Sequence, residues 1–464
     1  MNDTIAAPAM TGDTDTIDRY EQAIDRLLRF HPDVVELATG LVGVAEPVPM
    51  ANALIAYLHL MSTDPADLGT AQGAHVAMLR SPGNEREQAH AAAVGAWIGG
   101  DWAGAARHLD DLLVRWPTDL LALVFGHQLD FFTGDAQSLR DRPIRSLRAI
   151  DPEHPHAGFV RGMAAFGLEE AGHYGEALAV GQAAVEANPD DVWAIHAVVH
   201  TYEMQGRVDE GIRFLRSDRT RWESGNLFTV HNWWHLALFE LEAGRAERSL
   251  AIYDAEVHHA GSLGVPIEML DASALLWRLL LDGVDTGGRF GALAEAWAPK
   301  ASADPWYAFN DLHAAMAFVG AGRLADAHRL IARLERWVES ASGSNAAMTA
   351  EIGLPTCRAV VAFAEERHAD VVAELLPIRR VLARFGGSHA QRDAMQRTLL
   401  ESALRDGRYD LAAALTAERL GVREDSTYTW TQRARALHGR GDVTGAAAAA
   451  ERAADIRTRF QRAG

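Results

Sequence analysis

Two stretches of the chain carry pairs of histidines one helical turn apart. In "AIHAVVHTYEMQG", His196 and His200 are followed by Glu203; in "VHNWWHLALFELEAG", His231 and His235 enclose Asn232, Trp233 and Trp234. Residues three, four or seven apart share one face of an α-helix, so each stretch presents a stripe of imidazoles. Two chemistries suit such stripes. Without a metal, His200 or His235 would serve as general acid or base, oriented by Glu203, while Asn232 holds an oxygen of the ligand. With a divalent metal as cofactor, paired imidazoles would chelate zinc, and Glu203 or a third histidine would complete three ligands beside one open position. Spacing alone assigns no ligand set; if an ion is held, His200, His231 and His235 are the residues to hold it. The candidate catalytic residues, for an enzyme, are His200, Glu203 and His235.

Other stretches add His127 and Asp130 ("VFGHQLDFFTGD"), Asp271 and Ser273 ("LDASALLWRLLLDG"), and Tyr307, Asn310, Asp311 and His313 ("YAFNDLHAAMAFVGAG"). The expected ligand-binding set is His127, Asp130, His196, His231, Asn232, Trp233, Trp234, Asp271, Ser273, Asn310 and His313, with the tryptophans as a stacking or cation–π wall. The pair spacing resembles the H-x-x-x-H element of zincins. Asn232, however, stands where their general-base glutamate would be, which argues against a protease. A nucleophile is lacking as well: Ser273 has no nucleophile-elbow context, and Cys357 lies away from the histidines. As the one cysteine, Cys357 rules out an internal disulfide and a cysteine-based zinc finger; on its apolar stretch it reads as a buried, inert thiol in a reducing compartment. "LDGVDTGGRFG" lacks the lysine and hydroxyl residue of a phosphate-binding loop.

What positions these residues is a repeat. Turn-like phrases such as "AGHYGEALAV", "QGRVDEGIRFL" and "AGRAERSLAIY" place glycines at 100, 134, 172, 206, 244, 322, 407 and 441, mostly 34 or 38 residues apart. That spacing is close to the ~34-residue tetratricopeptide period. Gly283 and the phrase "AEERHADVVAEL" mark units inside the larger gaps. Each glycine ends one helix in a left-handed residue and lets a second pack back against it. Pro117, Pro152 and Pro189, each beside or near Asp or Asn, mark the starts of units. Such units cannot bury their apolar faces alone, so they stack. The expected fold is all-α, a curved α-solenoid of tetratricopeptide-like helix–turn–helix repeats. Residues 1–16 read as a disordered leader, 17–336 as the array carrying an inner-face site, and 337–464 as further helical repeats of the same array.

A formal charge of −19 repels phosphate backbones and anionic membranes, and no dense basic patch is visible in the sequence. Neither a signal-like start nor an apolar run long enough to span a bilayer occurs. The expectation is a cytoplasmic protein without nucleic-acid or membrane partners, with self-association left open.

The phrases "HAVVHTYEMQGR", "VHNWWHLALFELEAGR", "DASALLWRL" and "FNDLHAAMAF" together resemble the tetratricopeptide repeat protein 38 family of bacteria and eukaryotes, over about residues 31–336. The resemblance implies an α-solenoid whose shared His-, Trp- and Asn-bearing helices are carried here by His196, His200, Glu203, His231, Asn232, Trp234, His235, Asp271 and His313. Peptide-docking arrays of this type generally clamp carboxylates with Lys, Arg and Asn, so the pattern points to a specialised pocket. Binding of a small molecule or short peptide on a concave face is the leading expectation. A hydrolase or lyase using the same His/Glu cluster, with or without a metal, is the alternative, and a protein–protein adaptor the third.

Overall fold

Nine turn glycines, from Gly100 to Gly441, have φ between 68° and 82°, and at the remaining turn Glu366 takes φ 58°. A non-glycine residue in that conformation costs roughly 1–2 kcal/mol, so packing on both sides must hold the Glu366 turn. Size matters as well as φ at Gly134, where a Cβ would lie 1.7 Å from the Ala383 carbonyl oxygen.

The computed structural model describes residues 8–42 and 48–463. Among the described residues there are α-helices and short 3-10 and π turns, with no β-strand. In order the helices are α1 (Thr14–Leu28), α2 (Val34–Val42), α3 (Pro49–Met61), α4 (Leu68–Arg80), α5 (Glu85–Ile98), α6 (Trp102–Arg115), α7 (Leu120–Thr133), α8 (Ala136–Leu147), α9 (Ala157–Glu170), α10 (Tyr174–Ala187), α11 (Val192–Met204), α12 (Val208–Ser217) and α13 (Thr229–Glu242). They continue with α14 (Ala246–Ile252), α15 (Pro266–Leu281), α16 (Arg289–Ser302), α17 (Ala308–Gly320), α18 (Leu324–Val338), α19 (Ser344–Met348), α20 (Leu354–Ala364), α21 (His368–Ile378), α22 (His389–Arg405), α23 (Tyr409–Leu420), α24 (Thr427–Gly439) and α25 (Val443–Ala463). The chain is an α-solenoid of tetratricopeptide-like hairpins.

The first helix of each hairpin is the inner one. In α11, 12 of 13 residues are buried, against 4 of 14 in the outer α10. Helix starts follow side-chain caps more closely than prolines: Asp119 caps α7 and Asp191 caps α11, two residues beyond Pro117 and Pro189.

One inner helix does more than continue the array. α22 is polar on average yet buries 14 of its 17 residues. It crosses inner faces far earlier in the chain: His389 N–H and Arg392 donate to Glu170 (2.8 and 3.1 Å), Arg278 donates to the Ala390 and Gln391 carbonyls, and Trp277 donates to Thr398 (2.9 Å). At its middle Arg397 meets Asp393 (3.0 Å), Glu242 (3.2 Å) and Asp282 (3.6 Å). Polar groups this deep must be paired, and each of these residues is, with Arg397 Nη1 alone left beyond hydrogen-bond distance of its carboxylate. The inner face beside the histidines is therefore filled by the chain's own α22.

Part of the expected leader is ordered. Residues 1–7 lie outside the described residues, but Met10 is buried, Thr11 N–H and hydroxyl both donate to Glu87 (2.7 and 2.8 Å), and α1 begins at Thr14 behind its Asp13 cap. A buried methionine and two hydrogen bonds to one carboxylate outweigh the polar composition of that segment. Cys357 is buried, and burial pushes its thiol well above the usual value. No helix among the described residues is long and apolar enough to cross a membrane.

Candidate metal centre

α11 and α13 lie side by side as neighbouring inner helices, and their two histidine stripes face each other. His196, His200, His231 and His235 are all at most 5% exposed. One ring nitrogen from each can be chosen so that all four lie within 4.8 Å of one another. The Nε2 atoms of His196 and His231 are 3.1 Å apart. Two nitrogens bound at 2.0–2.1 Å to a tetrahedral zinc stand about 3.3 Å apart, so this pair is already at ligand spacing.

Carboxylates set the tautomers. His231 Nδ1 is 2.7 Å from Asp271 Oδ2 on α15, and His235 Nδ1 is 2.7 Å from Glu203 Oε2 on α11. His200 Nδ1 lies 3.4 Å from Glu169 Oε2 on α9, close but without a completed hydrogen bond. Burial, reinforced by the neighbouring imidazoles, holds His196 and His235 far below the usual histidine pKa. Burial likewise brings His200 down to about 4, against the pull of Glu170 and Glu203. Burial thus disfavours the protonated form of His196, His200 and His235. A neutral imidazole that donates Nδ1–H to a carboxylate keeps its Nε2 lone pair free, the arrangement that orients metal-bound histidines.

Those lone pairs have almost nothing to bind. Nε2 of both His200 and His235 is enclosed without a partner, as are Nδ1 of His196 and both side-chain atoms of Asn232. Each such buried group costs roughly 1–3 kcal/mol. The walls are aromatic: Trp234 stacks on His231 (5.2 Å, 20°), Phe166 lies against His196 and His200 (5.1 and 5.2 Å), and Phe228 and Trp193 close on His196 (4.8 and 5.1 Å). Two cavities of about 30 Å³ flank the cluster, one bordered by Glu203 and Arg278 and the other by His127 and Trp193. Each has room for a water or two. Neither takes a metabolite or a peptide.

Of the residues singled out from sequence, the structure joins His196, His200, Glu203, His231, Trp234, His235 and Asp271. Glu203 is an orienting group for His235. The rest lie elsewhere. Asp130 is paired with buried Arg142 (2.7 and 2.8 Å), Ser273 donates to the Met269 carbonyl and accepts from Trp297, and Asn310 donates to Thr63, tying α17 to the end of α3. His313 Nδ1 bonds its own helix at Phe309 O (2.7 Å), and Trp233 packs edge-on against Trp222 (4.9 Å). Asn232 is on the right helix but meets no hydrogen-bonding group. In each case the repeat put the residue on an inner helix, while its angular position turned it to a different neighbour.

His127 borders one flanking cavity, is 3% exposed, and has neither ring nitrogen partnered. Burial, helped by Arg142, pushes its pKa down to about 3. The folded value lies below the unfolded ~6.5, so the unfolded chain takes up the proton first; the stability is full above pH 6.5 and is lost as pH falls toward 3. At pH 5 the loss is about 2 kcal/mol. We expect His127→Leu to gain about that much relative to the parent between pH 8 and pH 5 in urea unfolding. An identical difference at both pH values would mean that His127 titrates normally in the folded chain.

Sequence reasoning missed Glu169 and Glu170. Burial, then repulsion from Glu170, keeps Glu169 protonated; Glu170 is also driven up by burial, but His389 and Arg392 pull it below the ordinary value. A signal existed: Glu169 precedes Gly172 by the same three residues that separate Glu203 from Gly206. Gln391, whose Nε2 is 3.4 Å from Asp271 Oδ1, and Arg278, which lies over Trp234 at 5.5 Å, depend on where α22 and α15 pack and left no such signal.

No protein-family model matches the chain. Among solved structures, it is similar to human IFIT1, seen as a dimer with m7Gppp-AAAA, at 13% identity over 96% of each chain and a TM-score of 0.40. It is also similar to yeast Tom70, at 11% identity over 97% of this chain and 96% of that one, TM-score 0.36. A third is in the APC/C hetero-tetramer Cut9–Hcn1, at 11% identity, 97% and 96% coverage and TM-score 0.32. The likeness to all three is one of helical-repeat architecture alone.

Proposed function

We propose that this chain is a metal-binding helical-repeat protein that holds one transition-metal ion between His196, His200, His231 and His235. The observation that carries the reading is the convergence of four enclosed imidazoles, two of them backed by carboxylates on Nδ1. Imidazole sets suit zinc, copper, iron and nickel; zinc is the first choice because it accepts four nitrogen ligands in a tetrahedron. Asp271 and Glu203 place two carboxylates directly behind the ligands of a divalent ion.

The same cluster supports a second reading as a hydrolase or lyase. One observation favours it: Glu169, protonated and with both oxygens unpartnered, stands beside His200 as a proton donor without an acceptor. A small-molecule or peptide pocket has less support, given flanking cavities of about 30 Å³, and an adaptor role rests on the fold alone. We treat 17–336 and 337–464 as one functional unit, because Gln391 of α22 reaches Asp271. The tetratricopeptide repeat protein 38 resemblance supports membership of that family, since its quoted phrases contain all four histidines. The buried thiol accords with a reducing, cytoplasmic setting.

Elemental analysis of the full chain, purified without a metal-affinity tag, should find about one zinc, copper, iron or nickel ion per molecule. Titration of the stripped chain with Co²⁺ should give the intense visible bands of tetrahedral nitrogen ligation. A metal-free preparation that also fails to develop those bands would end the proposal.

A further inference from the structure

A second site lies on the outer side of the array, independent of the histidines. α16, α17 and α18 border a half-open surface pocket of about 330 Å³ lined by Ala298, Ala301, Phe318, Arg329, Arg333 and Arg336. The three arginines recur at spacings of four and three along α18, so they share one face. The fold thereby gathers a basic patch that the sequence, read linearly, does not display.

Arg333 is the informative member. Its Nε, Nη1 and Nη2 are each shielded from solvent, and none has a hydrogen-bond partner. A guanidinium carries five N–H donors and is among the costliest groups to enclose unmet. Among the described residues no carboxylate lies within ion-pair distance of it or of Arg336, while Arg329 is held by Asp326, which Arg323 also engages. The one acidic residue lining the pocket is thus already neutralised. Asp311, buried with Oδ2 unpartnered, and Asp304 act on Arg333 only at longer range, and both line the adjoining cavity.

The volume falls at the small end of ligand sites, which begin near 300 Å³. Phe318 and the alanines give one apolar wall, and arginine forks match phosphate and carboxylate oxygens two at a time. We propose that this pocket binds a small organic anion bearing a phosphate or carboxylate group, gripped by Arg333 with Arg336 and Arg329 at the rim. The competing explanation is a water-bridged Arg333–Asp311 pair with no ligand.

Calorimetric titration of the full chain with pyrophosphate in one arm and citrate in the other separates the two anion sources. Saturable binding of at least one is expected, weakened on the order of 10- to 100-fold by Arg333→Gln, as loss of charged hydrogen bonds implies, and unchanged after chelator treatment. Arg336→Gln, at an exposed position, should weaken it several-fold and decides the matter should Arg333→Gln fail to fold. The proposal is overturned if neither anion binds, or if binding survives Arg336→Gln and any folded Arg333→Gln undiminished. It is overturned equally if Asp311→Asn and Arg333→Gln destabilise the chain alike while no anion binds.

Discussion

Zinc added to the metal-stripped chain should raise its unfolding free energy by about 4 kcal/mol when free zinc is 1,000-fold above the dissociation constant. The four histidines should carry that gain together. His200→Ala with His235→Ala removes one ligand from each helix, and the double variant should keep its helical circular dichroism while losing all response to zinc. Asp271→Asn and Glu203→Gln touch only the groups behind His231 and His235, at 2.7 Å in both cases. They should weaken zinc binding roughly 10- to 100-fold without abolishing it. A sign reversal is the sharper test. In the metal-free chain both ring nitrogens of His200 are enclosed and unpaired, so His200→Leu should be neutral or mildly stabilising there and inferior to the parent once zinc is present. If His200→Leu instead costs several kcal/mol without any metal, and zinc stabilises neither chain, the cluster is a packing element and the metal reading fails.

Arg397→Ala is expected to be the most damaging single change away from the histidines, at about 3–5 kcal/mol, because it removes a buried cation from buried Asp393 and from the partly exposed Glu242 and Asp282. Arg397 holds Asp393 and Glu242 at 3.0 and 3.2 Å, lies 3.6 Å from Asp282, and packs over the Tyr428 ring at 3.9 Å. Burial raises Asp282 to about 6 even with Arg397 in place, so its removal would leave that carboxyl protonated and the others short of a partner. Arg397→Lys keeps the charge but not the fork that reaches several carboxylates at once, and should recover only part of the loss. Urea unfolding of the three proteins measures both effects. A loss below about 1 kcal/mol for Arg397→Ala would mean that solvent reaches this network.

Much of this architecture was legible before any coordinates. Turn glycines punctuate the chain because φ near +70° excludes most side chains, and their phase located the inner helices. The pairing of the 196–200 and 231–235 stripes follows from that phase, since consecutive inner helices are neighbours. What remained hidden depends on contacts across the array. The sequence sets His196 among the ligand-binding residues, and only the 3.1 Å approach of its Nε2 to His231 reveals its direction. Glu203 reads from sequence either as a ligand or as the group that orients a histidine, and its carboxylate lies 2.7 Å from His235 Nδ1. His313, Asn310 and Asp130 share the inner-helix position but face other partners, which periodicity along one helix cannot decide. Least legible was α22: its polarity suggests a solvated helix, and nothing local shows that Glu170, Glu242 and Asp282 await its arginines.

α22 also governs the order in which the molecule can be made. In an ordinary stack of hairpins each unit meets only its neighbours, so growth can start anywhere and spread. Here the partners of α22 are distant along the chain: 219 residues from His389 to Glu170, 155 from Arg397 to Glu242 and 121 from Thr398 to Trp277. Loop closure over such separations slows folding, and during synthesis Glu170, Glu242 and Asp282 lack their α22 arginines until the chain has passed residue 397. The ion-pair network around α22 is consequently a late product of assembly, completed when this helix packs against units made far earlier.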